Sequence, residues 1–383
     1  MLKARPKLMG LEQLMARGAG TTLAAEGEAP AASAPEAARA AKKKLMRRSV
    51  RDRSQLLRRS FQSAFLALNV YLGVVFYLWV RAYETGVVPH VARPAGVEGY
   101  LPIAGMMNLK YRLLTGHDPA VHPAAMFLLI AFVAIAFLFR KAFCSWLCPV
   151  GTLSEYLWRL GRKLFCRNFH LPRWLDVPLR GLKYLLLAFF VWAVAGISTA
   201  EIAGFMRSPY GLIADVKMLN FFRFLGEMGL IVVGALVVAS VLVQNFWCRY
   251  LCPYGALLGL AALPSPLRIR RNPQACIDCA KCARACPSAL PVDKLVSIKS
   301  AECAACLECV AVCPAQDALA LGAPRRRAVP AWAMAAGIAV LFFGITGYAR
   351  LTGHWETHLP DSVYQQLVPH ANEATHPMPG DMQ

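Results

Sequence analysis

Residues 276–287 read CIDCAKCARACP, and residues 303–314 read CAACLECVAVCP. Both stretches use the spacing C-x2-C-x2-C-x3-C and place a proline after the last cysteine. The residues are Cys276, Cys279, Cys282, Cys286 and Pro287, then Cys303, Cys306, Cys309, Cys313 and Pro314. Zinc sites use paired C-x2-C units and have no habit of a third close cysteine with a proline-ended fourth. Disulfides do not suit a segment that the charge pattern places in the reducing cytoplasm.

The spacing is that of a two-cluster iron–sulfur run, in which three close thiolates hold one cubane and the fourth crosses to the other. The expected ligand sets are Cys276, Cys279, Cys282 and Cys313 for one [4Fe–4S] cluster, and Cys303, Cys306, Cys309 and Cys286 for the second. Two neighbouring clusters without an implied substrate pocket mean electron relay. Lys281, Arg284, Lys294 and Lys299 lie close by in sequence and either stabilise reduced clusters or form a solvated basic surface.

Outward from this module the chain is apolar: 57% of residues are hydrophobic and only 17% charged. Soluble domains sit nearer ~45–50% and ~25%. Five stretches, at 61–80, 124–143, 181–200, 229–247 and 328–348, have the ~17–25 apolar residues that a membrane-crossing helix needs. Arg140 and Lys141, near the end of the second, are expected to snorkel to the interface. The formal charge of +20 is unevenly placed, with 34 of the 42 Lys and Arg residues in alternate segments when Arg140, Lys141 and Lys183, just inside span ends, are counted with the segments they adjoin. That is the positive-inside pattern for a cytoplasmic amino terminus and cytoplasmic module, with the carboxyl terminus outside. The charge thus records topology and attraction to lipid heads, and nucleic acid is not the expected partner.

The expected fold class is therefore membrane α-helical, with about five transmembrane helices and an inserted cytoplasmic ferredoxin module of α+β type. The domains read as a basic, partly disordered segment at 1–59, four spans within 60–263, the module at 264–327, a fifth span at 328–348 and a periplasmic tail at 349–383. Residues 1–41 have no apolar core of signal-peptide kind, 18–41 have a disordered composition, and the basic run 42–59 is expected on the inner membrane surface. Residues 81–123 are long for a structureless connector and are expected to fold back against the membrane. In 152–165, Leu153, Leu157, Leu160 and Leu164 share a helical face opposite Arg159, Arg162 and Lys163, the pattern of an interfacial helix.

Two further cysteine pairs end apolar runs. FCSWLCPVG at 143–151 holds Cys144 and Cys148, and WCRYLCPYG at 247–255 holds Cys248 and Cys252. An i, i+4 spacing on a helix turns both thiols one way, and the proline ends or bends that helix. The repeated flanks suggest an internal duplication that brings four thiols together near the module. Three readings stay open for them: a further metal centre, redox-active or clamping thiols, and packing residues. Cys166 stands alone and receives no role.

None of the eight histidines lies inside an expected span, which disfavours a haem held between helices. No C-x-x-C-H attachment, phosphate loop or dinucleotide fingerprint occurs, and no room is left for a flavin domain. Electrons must then enter and leave through partners or through a lipid-soluble carrier, for which a membrane quinol is the natural choice. Its oxidation needs a proton acceptor; the candidates are His122, His117, Glu84, Glu98 and His354.

With two C-x3-CP motifs at helix ends and a double C-x2-C-x2-C-x3-CP module, the chain resembles the membrane ferredoxins of NapH, NosR and YccM type over roughly residues 60–356, including a TGHWE stretch at 352–356. The resemblance implies an inner-membrane protein that exchanges electrons between the quinone pool and a redox partner, as a component of a quinol dehydrogenase system. The alternative is an assembly or redox-maintenance factor resembling CcoG-type membrane ferredoxins, in which the C-x3-CP thiols handle metal for a respiratory enzyme.

Overall fold

The computed structural model describes residues 46–48, 52–166, 169, 171–323 and 328–377. Apart from one two-stranded sheet, its regular elements are helices. Three are long and apolar enough to cross a membrane: Ser54–Glu84, Trp174–Gly196 and Ala331–Leu351. A fourth span is available if Ala214–Arg223 and Glu227–Leu242, bent by 82°, are taken together.

The expected span at 124–143 is the helix Pro123–Phe139, and its surroundings explain why it is shorter. It is buried along most of its length, packed by Pro102–Thr115, Pro253–Ala261 and Ala331–Leu351. Ala-rich and uniformly apolar, it is the pillar of the core rather than a lipid-facing rod. It stops at Arg140, whose backbone takes a left-handed φ of 62°. The Arg140 amide donates to Ser265 Oγ (3.1 Å), and its guanidinium donates to the carbonyls of Ala262 and Ser300. Arg140 and Lys141 are buried, so they do not snorkel to an interface; they anchor the chain into the cysteine module. The span expected at 229–247 likewise ends at Leu242.

Lipid-facing character is visible on the outside. Leu185, Phe189 and Trp192 are exposed on one long helix, and Leu230 and Ile231 on another. In water such a surface would be an aggregation patch; in hydrocarbon it costs nothing. The helix Pro149–Phe165 is amphipathic in the inverse sense, since Leu153, Leu160 and Leu164 face out while Ser154, Glu155 and Trp158 are buried. Its Gly161 lies directly beneath the Val241 carbonyl, where any side chain would collide, and that absence sets how closely these two helices approach.

One residue of the basic run at 42–59 departs from expectation, Arg58. Residues 42–45 and 49–51 lie outside the described residues, as do 18–41. Arg58 is not at a membrane surface but buried, bonded to Glu155 (2.7 Å) and Glu308 (2.9 Å). The connector at 81–123 folds into a 3-10 turn, Ala95–Tyr100, and the helix Pro102–Thr115. In the tail, Asp361–Leu367 places Tyr364 against Trp79 and Tyr83 of the first long helix.

In the module, β1 (Arg268–Arg271) pairs antiparallel with β2 (Leu319–Gly322), Ile269 opposite Leu321. One continuous core joins Ile269, Leu321, Cys303 and Cys309 of the module to Ile135, Trp146, Leu258 and Met334 of the helices. The module is seated on the helices rather than tethered to them.

Candidate iron–sulfur and thiol site

The two cysteine runs wind alike. In the first, Asp278 (φ 54°) and Ala280 (φ 55°) flank Cys279; in the second, Ala305 (φ 48°) and Leu307 (φ 60°) flank Cys306. Non-glycine residues in the left-handed region carry a cost of order ~1–3 kcal/mol each, and such strain gathers at functional sites. Its repetition at matching positions turns successive thiols of each run toward a common interior.

The thiols of the two runs lie within electrostatic range of one another. Cys282 interacts with Cys313 and Cys276, and Cys313 with Cys279 and Cys276. Cys309 interacts with Cys306, Cys303 and Cys286 and, across the two runs, with Cys282, while Cys286 interacts with Cys303. A cavity of about 70 Å³ is lined by Cys286, Cys303, Cys306 and Cys309, together with Lys141, Cys144 and Cys248. Among the described residues, no three His, Cys, Asp or Glu side chains are gathered so as to hold a single metal ion. Cubane ligands need no such convergence, because each thiolate binds a different iron. The donor chemistry, the grouping and the cavity fit [4Fe–4S] clusters.

The C-x3-CP pairs correct one expectation. Cys144 sits in the short helix Phe143–Trp146, and Cys148 is the N-cap of the next helix, Pro149–Phe165. Cys248 sits in a π-turn, Trp247–Leu251, and Cys252 caps Pro253–Ala261. Each pair therefore straddles a break, and its proline opens a helix at N1, where a missing N–H costs nothing. The amide of Gly151 donates to Cys148 Sγ (3.4 Å), and that of Gly255 to Cys252 Sγ (3.2 Å).

All four thiols line one cavity. Cys148 interacts with Cys144 and Cys252, and Cys248 with all three others. Burial pushes Cys144 up to about 11, against the pull of Lys141 and Lys183, and Cys148 up to about 12. Lys183 Nζ lies 2.6 Å from Glu302 Oε2, and Lys141 Nζ lies 3.9 Å from the same oxygen. Tyr184 donates to the other Glu302 oxygen (3.0 Å).

A second, larger cavity of about 1140 Å³ runs along the central helix past Leu128 and Phe132. At one end stand all four C-x3-CP cysteines and Lys141; at the other stand Arg93, Arg350 and His358. Behind Arg93 is a buried charge cluster. Its guanidinium lies 2.7 Å from Asp215 and 2.9 Å from Glu98, whose Oε1 is 3.2 Å from His122 Nδ1. His122 Nε2 is 2.9 Å from the Gly211 carbonyl, and Thr357 donates to Glu98. Burial is the largest influence and disfavours charge on both His122 and Glu98, but their mutual hydrogen bond and charge attraction, with Arg93 beside Glu98 and Asp215 beside His122, together outweigh it, raising His122 and lowering Glu98.

Of the proton-acceptor candidates, His122 and Glu98 meet here. Glu84 is instead bonded to Arg223 (2.7 Å), His354 to Asp118 (3.2 Å), and His117 is exposed. Lys281, Arg284, Lys294 and Lys299 are exposed, and so is Cys166. Sequence reasoning missed Arg93, Asp215, Lys183 and Glu302. The available signal was Lys183 itself, a charge inside an expected span, which requires a partner.

Fold and site together define a helical membrane protein with 4Fe–4S domains, of the electron-transport class. The family model described as a 4Fe-4S binding domain matches twice, at residues 121–168 and 225–272, so the two C-x3-CP stretches are copies of one unit. A 4Fe-4S dicluster domain matches residues 268–314. YccM of Escherichia coli (strain K12), whose name describes an electron transport protein, is 49% identical over 82% of this chain and 90% of its own length. NirI of Paracoccus denitrificans (strain Pd 1222) is 30% identical over 50% of the chain and 28% of its own length. The ferredoxin-type protein NapH of E. coli is 25% identical over 49% of the chain and 61% of its own length. No solved structure matches. The chain belongs to the YccM, NapH and NosR family of 4Fe–4S membrane proteins.

Proposed function

We propose that the protein relays electrons between the membrane quinone pool and a redox partner, as the quinone-reacting component of an oxidoreductase system. Cys276, Cys279, Cys282 and Cys313 would hold one [4Fe–4S] cluster, and Cys303, Cys306, Cys309 and Cys286 the other. Such clusters, when bound, supply one-electron carriers whose potential follows charge, hydrogen bonding and burial.

The observation that carries the reading is a shared wall. Lys141, Cys144 and Cys248 line both the large apolar cavity and the small cavity of the second cysteine run. A lipid-soluble carrier in the former is thus separated from the latter by single side chains. The cavity is of the size and apolar character that cofactor sites have, ~300–1,000 Å³ or somewhat more. The charge alternation supports five spans, with the amino terminus and the module in the cytoplasm and the tail outside the inner membrane. On that topology Pro123–Phe139 crosses as a helix of ~25 Å, at 1.5 Å per residue, sheltered by its neighbours.

The test is anaerobic addition of a reduced quinone analogue to iron-loaded protein in nanodiscs. Paramagnetic resonance should show cluster reduction; loaded protein that exchanges no electrons with quinone would sink the reading. Metal handling remains a second reading, supported by four partly buried thiols lining one cavity, with Lys141 and Lys183 close to Cys144. It expects metal beyond eight irons, lost in Cys144→Ser with Cys248→Ser.

A further inference from the structure

The two cysteine runs face different surroundings. The second is bonded on every side to the helices that flank it. Ser145 Oγ donates to the Ala304 carbonyl (2.6 Å), Trp146 Nε1 to Ala305 (3.2 Å) and Gln55 Nε2 to Cys306 (2.9 Å). Lys183 and Arg58 clamp Glu302 and Glu308 at either end of that run. Cys303 and Cys309 are buried, and Cys303, Cys306 and Cys309 line the small cavity whose wall of Lys141, Cys144 and Cys248 is shared with the large one.

The first run looks outward. Lys281 and Arg284 are exposed on its short helix, and Arg284 donates to the Cys279 carbonyl (3.2 Å). Arg271 ties this run to the neighbouring loop: it bonds Asp278 (3.3 Å), the Leu295 carbonyl (3.3 Å) and, through its amide, the Val296 carbonyl (2.8 Å). On that loop Lys294 is exposed beside Leu295 (41%) and Val296 (58%). An apolar centre rimmed by cations is the composition of a transient docking face.

We propose that this face, built from Lys281, Arg284, Lys294, Leu295 and Val296, docks an acidic redox protein, and that the module is polar: the second run serves the membrane carrier and the first run serves the partner. Arg271, Lys281, Arg284 and Lys294 stand here against Asp278 and Asp293, so an acidic surface is the complementary one. One electron passes per encounter between the first-run site and the partner, with no bond made or broken and no proton moved. The proposal rests on the relay reading.

The experiment uses the full chain, iron-loaded, in neutral phosphatidylcholine nanodiscs. Dithionite-reduced protein is mixed with an acidic flavodoxin, with ferricyanide or with hexaammineruthenium(III), and reoxidation is followed by stopped flow. In Lys281→Glu with Arg284→Glu, reaction with flavodoxin and ferricyanide should fall about tenfold or more at low salt, while the cationic ruthenium complex gains. Equal rates for all three oxidants in both proteins overturn the docking face. An effect seen only in discs containing phosphatidylglycerol assigns the face to lipid and also overturns it.

The order is tested separately. Cys303→Ser with Cys306→Ser should keep about half the iron and a first-run resonance signal that flavodoxin reoxidises but reduced quinone analogue no longer reaches. Unimpaired reduction by quinol in that variant overturns the order. Wild-type protein that quinol cannot reduce defeats the relay reading instead, and leaves the flavodoxin comparison to judge the face.

Discussion

The two ends of the large cavity solve the same problem in opposite ways. At the far end, Arg93 faces Glu98 and Asp215, and a proton shared by His122 and Glu98 brings the cluster to neutrality without outside help. At the thiol end, Lys141 and Lys183 face the single carboxylate of Glu302. One buried positive charge is left over there, among four cysteines. A buried charge demands a partner. The far end is therefore a closed structural charge cluster, while the thiol end closes only when a thiolate or another anion is present.

Breaking the thiol end should cost most. Glu302→Gln leaves two buried ammonium groups facing one another with no carboxylate, and removing one partner of a buried pair costs about 3–5 kcal/mol. The melting midpoint in detergent should drop well below wild type. A midpoint unchanged by this substitution would show that the lysines are already compensated by something else.

The far end should announce itself through pH. Glu98 is lowered from its ordinary 4.5, so its contribution is complete above that value and is lost as pH falls through the lower folded one. His122 is raised from 6.5, so its contribution is complete below that value and is lost as pH rises through the higher folded one. Arg93 and Asp215 are the other charged groups facing this pair. The melting midpoint should thus be flat between these limits and fall on either side. In His122→Asn the alkaline fall should disappear; its persistence would place the titrating group elsewhere.

Much of this was legible from residue spacing. The eight module cysteines and the pairing of their runs follow from a covalent pattern of few residues, which tertiary context does not alter. The thiol pairs were legible as a repeat but not in geometry, because i, i+4 spacing implies one helix while Pro149 and Pro253 each start a new one. Arg140 and Lys141 misled for a physical reason: their sequence position fits an interface, yet Ser265 and Glu302, over a hundred residues away, receive them inside the protein. The cluster of Arg93, Glu98, His122 and Asp215 is assembled from three separate stretches of chain, and no local signal links the Arg93–Glu98 stretch to His122 or Asp215.

The smallest expected effect tests whether the two thiol repeats are equivalent, as their sequences suggest. Both place a glycine three residues after the capping cysteine, with its amide on the sulfur. A methyl group added at Gly151 would run into the Cys144 carbonyl, whereas one added at Gly255 would meet Lys141 Nζ at 3.5 Å, an ordinary contact with a flexible tip. Gly151→Ala must therefore move backbone and should cost about 1–3 kcal/mol, as overpacking does. Gly255→Ala has space and sits near a helix start, so its stability should stay within about 0.5 kcal/mol of wild type. Thermal melting of the two variants side by side reads the difference. Equal losses would mean that the amide–sulfur contact, which both share, outweighs the steric one, and that the repeats are alike in energy as well as in sequence.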